Sequence, residues 1–398
     1  MTRPPPPART SRRARGAVAV LFFVNGGVFA NAVPRYPELK AGLALSNAGF
    51  GSVVAAFPLG ALLVGTIAGV LVGRWGSART AVAASVVLAA NLVFIGVAPS
   101  WWALACALFV AGSFDAIADV AANAQGLRVE RLYGRSILNS LHGVWSIGAV
   151  VGGLTGAAAA GLHVPVSWHL ATAAVLFAGL ALAASRFLLR GPDTTAVAGV
   201  GRVRLRLIAS VGLLGVVAAM ANVIEDVGAT WGAVYLRGDL GAGPAMAGTA
   251  FIALQATQTI GRLLGDRAVT RFGDRAVART GATTAGLAMA VALIFPAPVT
   301  TVIAFGIVGL GIATLVPASA RAADTAPGLP PGLGLTLIGT VDRLALIAAA
   351  PLIGAVGDAY GLRTGLALIP VGAAVVVILA VTLHDGGPAR GRAGGHQA

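Results

Sequence analysis

Long apolar segments separated by short polar breaks recur along the whole chain. Each is close to the roughly 20 residues that a helix needs to cross the hydrocarbon core of a bilayer. The pattern predicts twelve membrane-spanning helices, at residues 16–34, 46–72, 79–98, 101–126, 137–161, 166–188, 206–235, 243–265, 277–296, 299–321, 332–356 and 363–383. The longest polar break, at residues 189–205, separates six helices from six.

A weak internal repeat divides the chain at the same place. The segment GRWG at residues 73–76 follows the second predicted helix, and TRFG at residues 270–273 follows the eighth, 197 residues later. Repeats of this length in membrane transporters indicate two similar bundles around a central site. We therefore predict an all-α integral membrane fold with two pseudo-symmetric six-helix bundles, at residues 16–188 and 206–384. A cytoplasmic loop at 189–205, a disordered basic tail at 1–15 and a second cytoplasmic tail at 385–398 complete the predicted chain.

The composition agrees with a chain solvated by lipid. Charged residues make up 11% and apolar residues 57% of the 398 positions, whereas soluble domains carry roughly 25% charged residues. The net charge of +14 does not indicate a nucleic-acid partner, because the arginines lie at the ends of apolar segments. The single cysteine, Cys106, excludes an intrachain disulfide and makes a cysteine-based metal site implausible.

The arginine distribution predicts the orientation. Cytoplasmic loops of membrane proteins carry an excess of lysine and arginine. We therefore expect the protein in a bacterial inner membrane, with both termini on the cytoplasmic side. The predicted inner loops then hold Arg3 to Arg15, Arg74, Arg79, Arg128, Arg131, Arg135, Arg186 to Arg206, Arg262 to Arg279, Arg321, Arg390 and Arg392, against Arg35, Lys40, Arg237 and Arg363 outside.

The loop after the second predicted helix carries a family signature. It reads GVLVGRWGSAR, and the chain here resembles the major facilitator superfamily, whose members typically show G-x-x-x-D-R-x-G-R-R/K. Gly69, Arg74 and Gly76 match that pattern, while Gly73 stands where the family usually has aspartate. The second copy, DRAVTRFGDR, keeps the arginine and glycine but has threonine at the acidic position.

This resemblance implies alternating access, in which two bundles rock about a central cavity lined by spans one, four, seven and ten. The loop motif would stabilise the outward-facing state at a cytoplasmic gate. It also implies a small-molecule solute, the lipid bilayer and a monomer as the working context, with no cofactor. The gate candidates are Gly69, Gly73, Arg74, Gly76, Arg79, Arg271 and Gly273.

Two carboxylates in span four are the first candidates for the cavity. A charge at mid-bilayer costs about 2.5–3.5 kcal/mol on insertion scales, so such residues are functional candidates by default. Asp115, Asp119 and Asn123 follow one another at four-residue intervals and share one helix face. Two carboxylates so close in a poorly solvated cavity cannot both ionise cheaply, which suits a proton carrier. Hydrogen bonding between helices by protonated acids is the structural alternative.

The second half of the chain supplies its own charged candidates. Glu225 and Asp226 are adjacent in span seven, so only one is expected to face the cavity, where it binds solute or stabilises the outer gate; capping in the outer leaflet is the alternative. Asp342 and Arg343 are adjacent in span eleven, and each is expected to pair across helices. We interpret Arg343 as the only basic side chain deep in the membrane. It either stabilises one end state or forms a purely structural ion pair.

Five uncharged or weakly basic residues complete the candidate site. Histidine side chains ordinarily titrate near neutral pH, so His142 can relay protons, and Trp145 can stack on a ring-bearing solute. Polar residues also join helices to one another, so packing roles stay open for all of them. The set consists of Asn25 in span one, His142 and Trp145 in span five, and Gln255 and Gln258 in span eight.

The charge balance of these candidates predicts the solute class. Five acids oppose one base inside the membrane, which favours proton coupling, a cationic solute, or both. The sequence thus predicts a secondary transporter of a small organic solute and no enzyme. Export of a cationic or amphipathic compound is slightly favoured because the loop motif is partly retained. Uptake of a neutral solute such as a sugar stays open, as does a transporter-like sensor that does not translocate.

Overall fold

A computed structural model of the protein describes residues 9–133, 137–191, 205–324 and 333–383. Within these residues every regular element is a helix. Twelve helical spans follow one another: Arg9–Gly42, Asn47–Trp75, Ser77–Gly96, Trp101–Tyr133, Leu138–Gly161, Val166–Phe187, Leu205–Gly238, Thr249–Phe272, Asp274–Ile294, Pro298–Asp324, Leu333–Tyr360 and Leu362–Thr382. We number them spans one to twelve. They confirm the predicted all-α membrane fold.

Span eight differs from the other spans in hydropathy. Eleven of the spans are long and apolar enough to cross a bilayer by length and composition. Span eight has 24 helical residues but carries Arg262, Asp266, Arg267 and Arg271 in its second half. It is nevertheless a continuous helix, and small residues on it let span ten approach closely. A Cβ at Gly261 would lie 2.6 Å from the Cβ of Ala313.

The spans form two six-helix bundles with matching details. Span five packs along span one in the first bundle, and span eleven packs along span seven in the second. Gly76 joins spans two and three with φ +79° and ψ 151°, and Gly273 joins spans eight and nine with φ +83° and ψ 156°. Only glycine adopts such a conformation without strain. The repeated GRWG and TRFG segments therefore build the same turn in both bundles.

The predicted disordered tail at residues 1–15 is partly wrong. Span one already begins at Arg9, and Ser11 and Ala14 are buried while Arg12 and Arg13 on the opposite face are exposed. The helix extends past the expected membrane boundary because this face packs against the first bundle. Residues 1–8, 192–204 and 384–398 lie outside the described residues, and with them most of the predicted central loop and C-terminal tail.

The two bundles meet at one end of the molecule. We call this end, which carries the turn before Asn47 and the end of span eleven at Tyr360, the outer end, after the orientation that the arginine bias predicts. Here a Cβ at Gly354 of span eleven would lie 2.6 Å from the carbonyl carbon of Asn47 in span two. The Asp358 carboxylate accepts hydrogen bonds from the backbone amides of Asn47 and Ala48, each at 2.8 Å. The second bundle thus caps the first helical turn of span two.

Candidate functional site

Three candidate side chains of the first bundle form one hydrogen-bonded chain. The Trp145 indole Nε1 donates to Asn25 Oδ1 at 2.8 Å, and Asn25 Nδ2 donates to Asp115 Oδ1 at 2.9 Å. Asn25 is buried at 5% exposure, whereas Asp115 and Trp145 are half-buried. Three different spans therefore converge on Asn25, which fixes the orientation of the Asp115 carboxylate. Within the described residues Asp115 has no cationic partner within 4 Å.

A second hydrogen-bonded chain lies one helical turn nearer the inner end. Asn123 Nδ2 donates to Asp119 Oδ1 at 2.9 Å, and His142 Nε2 lies 3.2 Å from Asn123 Oδ1. The ring of Phe22 packs edge-on against His142 at a centroid separation of 5.1 Å. Asp119 and His142 are both exposed. Spans four and five together thus present an acid, an amide and an imidazole on one surface.

The second bundle presents a matching set of polar side chains. Gln258 Nε2 donates to Glu225 Oε2 at 2.6 Å, and Asn222 Nδ2 donates to Asp342 Oδ1 at 2.9 Å. Spans seven, eight and eleven are therefore joined through carboxylates. Gln255 is buried at 4% exposure, with no side-chain hydrogen bond among the described residues. Asn222 was not singled out in the sequence, although it lies on the face of Glu225 three residues earlier.

The expectation that Arg343 is the only basic side chain deep in the membrane is wrong. Arg262, which the arginine bias assigned to an inner loop, lies within span eight with its Nη2 3.7 Å from Glu225 Oε2. Arg262 falls among charged residues at the end of an apolar segment, so hydropathy alone could not give its depth. Arg343 itself is half-buried and makes no hydrogen bond or ion pair within the part of the chain that the structure describes.

The polar surfaces of the two bundles face one another. Asp119 lies within electrostatic range of Arg343, and His142 lies within range of Arg262. Each of these pairs joins a residue of the first bundle to one of the second. Asp119, His142, Arg262 and Arg343 therefore border one space between the bundles, and the first three of these side chains are exposed.

An aromatic cluster closes this space toward the outer end. Phe50 of span two packs edge-on against Tyr36 of span one at 5.5 Å and against Trp231 of span seven at 5.7 Å. All three side chains are buried, at 4% exposure or less. Asp226 lies within electrostatic range of Tyr36. Phe50 and Tyr36 were missed in the sequence because a single aromatic residue in an apolar helix carries no distinguishing signal.

The gate-motif residues lie at the inner ends of spans two and eight. In the first copy, Thr80 Oγ1 donates to the backbone oxygens of Leu71 and Gly76, which fastens the turn at Gly76. Gly69, Gly73, Arg74 and Arg79 are exposed around it. In the second copy, Arg271 stacks over Phe272 at 5.4 Å, next to the turn at Gly273. An ion pair of 2.7 Å between Asp274 and Arg321 follows that turn.

Comparisons with known proteins agree with this architecture. No family model matches the chain. An uncharacterised MFS-type transporter of Yersinia pestis is 30% identical over 335 residues, a match that covers 84% of this chain and 86% of the relative. The chain belongs to the major facilitator superfamily.

Solved structures of this superfamily share the fold. The nucleoside transporter NupG superposes with a TM-score of 0.72 at 15% identity and covers 94% of this chain and 98% of its own. A bacterial homologue of the human lysosomal transporter Spinster, in an inward-facing and unoccupied conformation, superposes with a TM-score of 0.70 at 14% identity. It also covers 94% of this chain and 98% of its own. This superfamily member is therefore a multi-pass membrane transporter.

Proposed function

We propose that this transporter couples proton movement to the passage of a small organic solute by alternating access. Export of a cationic or amphipathic compound across a bacterial inner membrane, with both termini cytoplasmic, is the leading assignment. Carboxylates of both bundles border one space that is sealed outside by Tyr36, Phe50 and Trp231 and open inside. This arrangement is the observation that carries the proposal.

Asp115 is the proposed proton carrier. Its carboxylate accepts a hydrogen bond from the buried Asn25, its side chain is half-buried, and no cationic partner lies within 4 Å among the described residues. An ionised carboxylate in such a site is costly unless it is paired. Protonation removes that cost and makes closure of the inner half around Asp115 easier. Rocking of the bundles then moves the proton from one side of the membrane to the other.

The cavity also supports a cationic or amphipathic solute. Its acids outnumber its two arginines, and Trp145 offers an aromatic face that is linked to Asp115 through Asn25. A cation close to an aromatic face and a carboxylate gains attraction from both. The direction rests on the partly retained loop motif, in which Gly76 builds the expected turn. Export is therefore the working assignment for transport assays.

A second candidate function is proton-coupled uptake of a neutral polar solute. Arg262 approaches Glu225, and Arg343 lies within electrostatic range of Asp119, so the site is less negative than the sequence predicted. Hydrogen-bonding amides at Asn25 and Gln258 suit hydroxyl groups of an uncharged solute. Transport of cationic and neutral probes by the same preparation separates the two candidates.

The test of proton coupling uses purified protein in proteoliposomes. A thermal-shift screen at two pH values first identifies a solute that stabilises the protein. Asp115→Asn is then expected to abolish accumulation of that solute under an imposed pH gradient and to spare counterflow exchange, because the variant still binds and rocks but carries no proton. Asp266→Asn, which removes an exposed acid of span eight, is the matched control.

Three outcomes decide between a coupled transporter, a different carrier residue and a sensor. Loss of accumulation with retained exchange in Asp115→Asn, together with normal accumulation in Asp266→Asn, supports the proposal. Full gradient-driven accumulation in Asp115→Asn contradicts the assigned carrier. A solute that stabilises the protein to heat but never crosses the membrane, with or without a gradient, indicates a sensor instead of a transporter.

A further inference from the structure

A basic cleft opens at the inner end of the first bundle, away from the central cavity. Its volume is about 900 Å³, and it lies where span two ends, span three begins and span six ends. Three arginines contribute to its lining: Arg74 and Arg79 from the loop motif, and Arg190 from the segment that follows span six. Neither the candidate proton pathway nor the outer aromatic cluster touches this cleft.

The guanidinium groups of the cleft lack protein partners. Arg74, Arg79 and Arg190 are exposed and make no side-chain hydrogen bond or ion pair with any described residue. The described lining holds no aspartate or glutamate. Arg128 holds the edge of the cleft in place, because its guanidinium donates to the backbone oxygens of Arg190 and Gly191 at 2.9 and 3.1 Å. Three like charges are thus kept together on a fixed part of the backbone without a counterion from the described protein.

In the second bundle, the charged residues after the corresponding turn have protein partners. In the repeat, Ser77 corresponds to Asp274, whose carboxylate pairs with Arg321 at 2.7 Å. The neighbouring Arg275 donates to the backbone oxygen of Val381 at 2.9 Å. Protein groups therefore satisfy the charges that follow the second turn. The first loop, with Gly73 at the usual acidic position and Ser77 after the turn, leaves its arginines available for an anion from outside the protein.

An apolar wall continues from the arginines toward the membrane interior. Val82, Val86 and Val87 of span three face Leu182 of span six across the cleft, and Trp75 lies at its mouth. Leu182 is 54% and Trp75 56% exposed, so both lie on the surface of the bundle. A tryptophan at this level is characteristic of the membrane–water interface. The cleft thus has positively charged side chains at one end and mostly apolar side chains along the rest of its lining.

We propose that this cleft binds an anionic phospholipid of the inner leaflet. Its phosphate would face Arg74, Arg79 and Arg190, and one acyl chain would follow Val82, Val86 and Leu182. Basic pockets between membrane helices on the cytoplasmic side suit acidic headgroups, and planar guanidinium groups match phosphate oxygens well. A zwitterionic lipid brings an amine that three unpaired arginines disfavour, so the site selects for net negative charge.

The test measures lipid selectivity of the full chain. Purified protein is exchanged into defined detergent micelles, and binding of phosphatidylglycerol and phosphatidylcholine is quantified by native mass spectrometry. Attraction between the three arginines and the net negative headgroup, reduced by screening, predicts a preference of roughly tenfold for phosphatidylglycerol. The combined Arg74→Gln, Arg79→Gln and Arg190→Gln variant should lower this preference to about twofold or less.

Two further variants separate a defined site from general attraction. A control with Arg12→Gln, Arg13→Gln and Arg267→Gln removes the same charge from exposed positions outside the cleft and should keep the preference. Ala83→Trp keeps all three arginines but fills the cleft, and it should lose the bound lipid. Equal losses in the control and the cleft variant, or unchanged binding in Ala83→Trp, would overturn the proposal. Displacement of the lipid by inorganic phosphate at equal concentration would instead indicate a site for free phosphate.

Discussion

Gly354 provides a way to open the outer end by adding a single methyl group. It lies in span eleven of the second bundle, directly against the first turn of span two in the first bundle. A Cβ at this position would lie 2.6 Å from the Asn47 carbonyl carbon and closer still to its oxygen. The obstacle is backbone, which cannot rotate aside as a side chain does. The added methyl group of Gly354→Ala therefore fits only if the two bundles separate.

The size of the effect follows from this overlap. Ordinary carbon–carbon contacts begin at about 3.5 Å, so the outer ends must retreat by about 1 Å. Overpacking of this kind costs about 1–3 kcal/mol. Because the cost applies only while the outer end is closed, the equilibrium should shift about 5- to 150-fold toward an outward-open state. The gain in helix propensity from glycine to alanine, about 1 kcal/mol, applies to both states and cancels.

The assay is a distance measurement between spin labels on the two outer ends. Leu162→Cys in the first bundle and Tyr360→Cys in the second place labels on side chains that are 77% and 76% exposed, in a Cys106→Ser background. Gly354→Ala should lengthen the distance distribution. Gly339→Ala is the matched control, since it lies on the same span and an added Cβ there would meet nothing within 4 Å. An unchanged distribution in Gly354→Ala, or an equal change in Gly339→Ala, would refute the reasoning.

Three further predictions probe the outer cap, the first bundle and the site. Asp358→Ala removes the carboxylate that caps span two. A cap is worth about 1 kcal/mol, so the same spin-label pair should show roughly fivefold more open molecules. An unchanged distance distribution would contradict a role of this cap in holding the outer end closed. Gly112→Ala would put a Cβ 2.6 Å from a backbone carbon of span two, within one bundle. It should lower the melting temperature by several degrees, whereas Gly179→Ala, with open space around it, should not. Trp145→Phe removes the donor to Asn25 and should weaken solute binding about fivefold in titrations, with retained affinity as the contrary result.

Much of the fold was predictable because every span needs about 20 mostly apolar residues to cross a bilayer. Apolar length alone placed the spans within a few residues of those observed, with three exceptions. Span one extends at both ends, to Arg9 and Gly42, span four extends to Tyr133, and span eight, at Thr249–Phe272, lies later in the chain than predicted. These extensions mix charged with apolar residues, so hydropathy no longer distinguishes helix from loop there. Span eight was predicted from its first half, since the arginines and acid of its second half lower its mean hydropathy.

The site was predictable by residue type but not by partner. Scarce charges in apolar helices pointed to Asp115, Glu225 and Asp342, each of which accepts a hydrogen bond from another span. Their hydrogen-bond partners could not be derived, because contacts such as Asn25 with Asp115 join residues 90 positions apart. The cap of span two by Asp358 spans 311 positions, which no local pattern encodes. The position of Arg262 along span eight beside Glu225 could not be predicted either. The arginine bias predicts which ends of the spans face the cytoplasm, and not where along a span a side chain lies.

Proton movement driven by the solute alone is the decisive measurement for coupling. Proteoliposomes loaded with a pH-sensitive dye, without an imposed gradient, receive the solute identified in the stability screen. Coupling through Asp115 predicts a change of internal pH on solute addition for the native protein and none for Asp115→Asn, which still exchanges solute. Equal solute transport by both proteins with no change of internal pH in either would contradict proton coupling through this cavity.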